Sequence, residues 1–131
     1  MNRLMVFLDA IRDHLDSFAL PPACSVEVTA WSSPVNVALD TDTLPGVVSG
    51  LATWSAALDG PRVALWRTPG GTRVRLALTG RTPCGIPVYV WGYAPFDPAT
   101  FPDLPVQTDQ EMPVWLLRQW ARAGEAGEGA A

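Results

Sequence analysis

Three consecutive runs of alternating residues between positions 62 and 93 place the strongest constraint on the fold of this chain. Residues 62–68, 72–80 and 86–93 each alternate aliphatic side chains with polar or aromatic ones. Turn-forming stretches separate the runs at residues 69–71 and 81–85. Because successive side chains of a strand point to opposite faces of a sheet, this pattern predicts three neighbouring strands.

The two faces of this predicted sheet differ in chemistry. The core face is aliphatic and comprises Val63, Leu65, Val74, Leu76, Leu78, Ile86, Val88 and Val90. The opposite face, called the outer face below, comprises Ala64, Trp66, Arg73, Arg75, Ala77, Tyr89, Trp91 and Tyr93. If the strands pair so that each keeps its aliphatic residues on the core face, Trp66 lies opposite Arg73 or Arg75, and Arg75 lies near Trp91. Guanidinium groups and indoles are therefore expected to alternate across the sheet.

Charge separates the same region from the rest of the chain. The stretch from Pro61 to Phe96 carries five Arg and no acid, for a formal charge of +5. The remaining four Arg and thirteen acids give −9, which accounts for the net charge of −4. A basic sheet on an acidic protein indicates a face that meets an anionic partner or is covered by the chain's own acidic segments.

The segments before the sheet predict two helices and a hairpin. Apolar residues recur at three- and four-residue spacing from Leu4 to Phe18, the pattern of an amphipathic helix, which Pro21-Pro22 ends. Alternation over residues 25–31 and 35–39 predicts two short strands. A cluster of Asp and Thr at 40–43 then supplies the N-cap of a second helix, which extends to Leu58.

These elements predict an α+β fold, a two-layer sandwich with the order α-β-β-α-β-β-β over residues 1–94. The sheet is expected to be mainly antiparallel, with the helices on its core face. Gly46 and Gly50 lie four residues apart in the second helix, which lets a neighbouring backbone approach closely. We expect that neighbour to be the chain's own sheet, and the alternative is a second copy of the helix.

The composition changes after Tyr93, where prolines punctuate an acidic and aromatic run. Residues 95–122 are predicted to form a Pro-rich acidic arm and a short helix from about Met112 to Arg122, packed on the domain or on a partner. Residues 123–131 are predicted to be a disordered tail. The arm, together with Trp115 and Trp120 of the helix, is one candidate for covering the outer face.

No group of residues indicates catalysis, a cofactor or a metal site. Ser49 lies inside a helix, not at the strand-to-helix turn of a nucleophile elbow. His14 is the only histidine and has no visible nucleophile, and the acids at 40–43 are explained as a helix cap. Cys24 and Cys84 form no CxxC motif, so both are expected to be free, buried thiols. We therefore predict a protein that is not an enzyme and needs no cofactor.

Composition also bears on origin and location. All nine basic residues are Arg, alongside frequent Ala, Gly and Pro, which GC-rich codons produce. This indicates an actinobacterium or another high-GC bacterium, its phage or a mobile element. The N-terminal segment is interrupted by charges and lacks the unbroken apolar run of a signal peptide or membrane span, so a cytoplasmic protein without membrane contact is expected.

The outer face is the candidate binding site, through Trp66, Arg73, Arg75, Tyr89, Trp91 and Tyr93. Trp, Tyr and Arg are the residues enriched in interface hot spots, which favours an adaptor that binds a protein partner or itself. Aromatic rings interleaved with Arg also suit single-stranded nucleic acid or another anionic ligand, which is the second hypothesis. A small enzyme is the third. The order of elements resembles that of small bacterial α+β adaptors such as secretion chaperones, an analogy of fold alone.

Overall fold

A computed structural model describes Asp9 and residues 23–27, 34–102 and 104–130 of the chain. Within these residues the chain forms a six-stranded mixed sheet and two helices. The elements are β1 (Ala23–Glu27), β2 (Val35–Leu39), α1 (Leu44–Ala57), β3 (Asp59–Arg67), β4 (Arg73–Arg81), β5 (Pro87–Pro95), β6 (Asp109–Met112) and α2 (Val114–Ala130). The helix predicted from Leu4 to Phe18 lies outside the described residues, apart from Asp9.

The strands lie in the order β1-β2-β5-β4-β3-β6. The antiparallel pairs β3–β4, β4–β5 and β1–β2 confirm the predicted meander and hairpin. A parallel pairing of β2 with β5 joins these two units, and β6 adds an antiparallel strand beside β3. The mainly antiparallel α+β fold is therefore confirmed, with a parallel junction and a sixth strand that the sequence pattern did not predict.

The hydrophobic core lies between the sheet and the helices, as predicted. Leu51 of α1 and the aliphatic residues of β4 and β5 are fully buried, including Val74, Leu76 and Val88. Leu8 and Ile11, which were expected in the same core, lie outside the described residues. The β3–β4 register pairs Leu65 with Leu76, which leaves the intervening arginines on the outer face.

Helix α1 packs tightly on the sheet. Its N-cap is Thr43, whose Oγ1 accepts a hydrogen bond from the backbone N–H of Gly46 at 3.2 Å. A methyl group added to Gly50 would lie 3.0 Å from Cδ1 of Leu39 on β2. The expected close approach to the chain's own sheet is therefore confirmed at Gly50, whereas Gly46 lies against the capping threonines.

The C-terminal arm packs on its own domain. Phe101 and Leu104 are buried in the core, and β6 then pairs with β3. Helix α2 lies beside α1, where Leu117 is fully buried and Arg118 Nε donates a hydrogen bond to Ser55 Oγ at 3.3 Å. In the structure α2 continues to Ala130, through most of the tail that was predicted to be disordered; the Ala and Glu residues between its glycines are good helix formers.

Two side chains are more exposed than the sequence pattern predicts. Val26 has the parity of the inward-facing residues but is 40% exposed, because β1 is an edge strand of the sheet. Cys84 was expected to be buried, yet it is an exposed free thiol in the turn between β4 and β5. The side chain of Cys24 lies outside the described part of the chain.

Candidate functional site on the outer face

The strand register brings all six predicted site residues to the outer face. It produces three rows across β3, β4 and β5, in that order: Trp66, Arg75 and Tyr93; Ala64, Ala77 and Trp91; and Arg62, Thr79 and Tyr89. Arg75 is thus opposite Trp66, as predicted. Its direct neighbour on β5 is Tyr93, and Trp91 lies diagonally across from it.

Guanidinium groups and aromatic rings stack along this face. Cζ of Arg75 lies 4.8 Å from the centroid of the Trp66 ring, and Cζ of Arg73 lies 4.6 Å from that of Tyr93. Tyr93 also meets Trp91 edge to face, with centroids 5.5 Å apart. A stacked guanidinium uses its flat side for the ring and keeps its in-plane N–H groups available for other partners.

Arg73 and Arg75 form neither a hydrogen bond nor a salt bridge with any residue that the structure describes. The other three arginines of the basic stretch are used within the fold. Arg62 forms a salt bridge with Glu111 at 3.0 Å, Arg81 donates to the carbonyl of Gly85, and Arg67 binds the arm. The acids of the arm therefore neutralise only one of the five arginines within the described residues.

An open depression of about 470 Å³ lies between the rows. Its floor is made by Ala64 and Ala77, whose methyl side chains leave space between much larger neighbours. The walls are formed by Trp66 and Arg75 at one end, Arg62, Thr79 and Tyr89 at the other, and Asp109 and Glu111 of β6 along one side. This volume lies in the range of pockets that bind small molecules or single side chains.

Two further contacts define the chemistry of the face. Burial raises the pKa of the Tyr89 phenol, an effect that Arg75 opposes and that Tyr93 and Asp109 reinforce. The hydroxyl is protonated at neutral pH, as an ordinary phenol with a pKa of 10.0 already is, and it can donate a hydrogen bond. On β2, Asn36 Oδ1 accepts a hydrogen bond from Trp91 Nε1 at 2.8 Å, which fixes the orientation of the indole.

The arm and its helix do not cover the outer face. Strand β6 extends the sheet beside β3 instead of crossing over it, so its acids reach only the edge near Trp66. Trp120 packs against Phe101 with centroids 5.8 Å apart, on the helix side of the sheet. Trp115 is 64% exposed on α2. The alternative that these two indoles cover the outer face is therefore wrong, because they belong to the opposite layer.

Three residues of the site were missed at the sequence level. Asp109 and Glu111 reach it only because a short polar segment pairs with β3, and a polar segment of this kind has no strand-like alternation of apolar residues. Asn36 has the correct parity on β2, but its contact with Trp91 depends on the parallel pairing of β2 with β5. The alternation along β2 places Asn36 on the outward-facing side, and this was the available sequence signal for it. No sequence signal indicated that residues 109–112 form a strand.

No protein-family model, curated protein or solved structure matches this chain. The described residues contain no group of three or more His, Cys, Asp or Glu side chains placed to hold a metal ion. In the same part of the chain, neither helix has the length and apolar character needed to cross a membrane. Any function of the outer face must therefore follow from the chemistry of its own residues.

Proposed function

We propose that this chain is a non-enzymatic interaction protein that binds a protein partner through its outer face. The observation that supports this is the open depression floored by Ala64 and Ala77 and bordered by stacked aromatic and guanidinium groups. Trp, Tyr and Arg dominate interface hot spots, where a concave site receives a partner side chain. The contacts across strands hold the rings in place before binding, which lowers the entropic cost of association.

Self-association through this face is one form of the same proposal. We further propose that the protein acts in the cytoplasm and comes from a high-GC bacterium, its phage or a mobile element; the exclusive use of Arg supports this origin. A small enzyme is the third hypothesis, and it has no supporting arrangement of a nucleophile and a base among the residues discussed above.

The second candidate is binding of single-stranded nucleic acid or another anionic ligand. The stacked pairs of Arg73 with Tyr93 and Arg75 with Trp66 favour it, because bases stack on rings and phosphates pair with guanidinium groups. Asp109 and Glu111 oppose it, since both carboxylates line the depression where a phosphate backbone would have to pass. This arrangement of charge makes a protein the preferred partner.

The proposal is tested by filling the depression. Ala64 is exposed on its floor, so Ala64→Arg introduces a large side chain there without disturbing the core. The matched control is Ala56→Arg, an identical change at an exposed position of α1 in the other layer. Tagged proteins are used to capture partners from a lysate of the source organism, and the captured proteins are quantified by mass spectrometry.

We expect the wild type and Ala56→Arg to retain the same protein, and Ala64→Arg to retain at least about tenfold less, as for loss of a hot-spot contact. Equal retention by all three proteins contradicts the use of this face. Nucleic acid that is captured by all three, and is released by moderate salt, supports the second candidate, because an added Arg does not repel phosphate.

A further inference from the structure

The two arginines of β4 are the unused charges of the outer face. Arg73 and Arg75 each lie over an aromatic ring, and neither has a carboxylate partner in the described part of the chain. Glu111 is already paired with Arg62, which leaves Asp109 as the acid of this face against two arginines. Within the depression Arg75 and Asp109 balance in formal charge, and Arg73 outside it gives the outer face as a whole an excess of one positive charge.

Donors from two strands border the same depression. Arg75 on β4 presents N–H groups at one end, and Tyr89 on β5 presents a hydroxyl at the other. A guanidinium fork binds a carboxylate through two parallel hydrogen bonds, and a phenol at the opposite end of the depression offers a donor to a second acceptor of the same ligand. Ala64 and Ala77 beside them provide an apolar surface for the carbon chain of the same ligand residue.

We propose that the partner inserts an acidic side chain, Asp or Glu, into this depression, where Arg75 at one end pairs with its carboxylate and Tyr89 at the other end donates a hydrogen bond to a second acceptor of the same segment. This inference rests on the proposed function, and it defines the partner as an acidic protein segment that also carries an apolar residue for the alanine floor. Among the arginines that line the depression, Arg62 is paired with Glu111 and Arg75 has no acidic partner in the described residues, so one carboxylate can be fully paired there whereas a doubly charged phosphate cannot. A cationic side chain is disfavoured by the two unpaired arginines.

The test uses three matched pools of synthetic nine-residue peptides, each with a central Leu. The two positions beside the Leu are Glu in the first pool, Gln in the second and Lys in the third, and the other positions are randomised identically. Binding to the full chain is measured by fluorescence anisotropy at low and moderate salt. The wild type is expected to bind the Glu pool at least about tenfold more tightly than the Gln pool, and the Lys pool most weakly.

Three variants identify the groups responsible. Arg75→Glu is expected to reverse the preference from the Glu pool to the Lys pool. Arg75→Gln is expected to remove the preference, and it serves if the charge reversal impairs folding. Tyr89→Phe is expected to weaken binding of the Glu pool severalfold without reversing the order. Arg122→Glu, a charge reversal at an exposed position of α2, is the control and is expected to change nothing.

Any of three results overturns this inference. The wild type binds none of the pools, it binds the Lys pool most tightly, or the Arg75 variants rank the pools in the same order as the wild type. If Ala64→Arg still abolishes capture of the partner in that case, the outer face binds a protein by other chemistry and the proposed function stands. If Ala64→Arg has no effect either, both the inference and the proposed function fail.

Discussion

Tyr89 is the residue whose environment on the outer face is most informative. Its phenol is partly buried among Arg75, Tyr93 and Asp109, and burial is the largest cause of its raised pKa. The phenol is a hydrogen-bond donor at the surface that has no acceptor among the described residues. Such an arrangement costs little while water is present and becomes favourable when a ligand supplies the acceptor.

The raised pKa gives a pH-dependence that can be measured. The folded protein holds the Tyr89 proton more tightly than the unfolded chain does. The contribution of Tyr89 to the free energy of unfolding is therefore fully present below the ordinary pKa of 10.0, and it is lost as the pH rises through the pKa of Tyr89 in the folded protein. A spectrophotometric titration at alkaline pH should therefore contain a late component that Tyr89→Phe removes. Tyr93→Phe, which removes a group that reinforces the shift, should lower the pKa of that component without removing it. Ionisation of Tyr89 at or below 10.0 would contradict this description of its surroundings.

At the scale of elements, Arg67 connects the sheet to the arm. It is the last residue of β3 and has the parity of the core face, so its guanidinium covers the end of the core. Cζ lies 3.6 Å from the centroid of the Phe96 ring, and Nη1 donates to the carbonyl of Leu104 at 3.1 Å. A third contact, from Nε to the carbonyl of Gly71 at 3.0 Å, ties the same side chain to the β3–β4 turn.

Arg67→Lys should therefore loosen the arm. A lysine keeps the charge but loses the planar fork and most of the stacking, so we expect the free energy of unfolding to fall by about 1–3 kcal/mol. The N–H of Gln107 bonds to the carbonyl of Arg67 at 2.9 Å, and hydrogen exchange at this amide should accelerate. Arg81→Lys, at an exposed arginine with one carbonyl partner, should change stability by less than about 0.5 kcal/mol. Equal effects of the two substitutions would show that the arm does not depend on Arg67.

The elements differ in how far their sequences predict them. Strands β3 to β5 follow from local alternation, since Val74, Leu76 and Leu78 must all face one side once the strand forms. Strand β6 does not, because Asp109, Gln110 and Glu111 have no apolar pattern and become a strand only by pairing with β3. The parallel β2–β5 pairing is equally a long-range contact, so local patterns contain no signal for it.

The same limit applies to the candidate site. The six aromatic and arginine residues follow from strand parity, and so does the alanine floor. The acids along its side were expected in an arm that crosses the sheet, and their position at its edge follows from tertiary pairing alone. As a result, the sequence alone could not predict the balance of charge in the depression. That balance is the observation that favours a protein partner over a nucleic acid.

At the scale of the whole molecule, the two sides of the sheet have different roles. Helices α1 and α2 pack on the core side and bury its aliphatic residues. The other side carries half-buried rings and two arginines without acidic partners among the described residues. Rings that are held in place yet half exposed keep part of their apolar surface available for burial against a partner.

Oxidative footprinting of the chain, free and bound to its captured partner, tests the use of this side most directly. Hydroxyl radicals label accessible Trp and Tyr side chains, and mass spectrometry gives the extent at each residue. Trp115, which is 64% exposed on α2, is an internal control in the opposite layer. We predict that labelling of Trp66, Tyr89 and Tyr93 falls severalfold on binding while that of Trp115 is unchanged. Protection of Trp115 with unchanged labelling of the three outer-face residues would contradict the central claim.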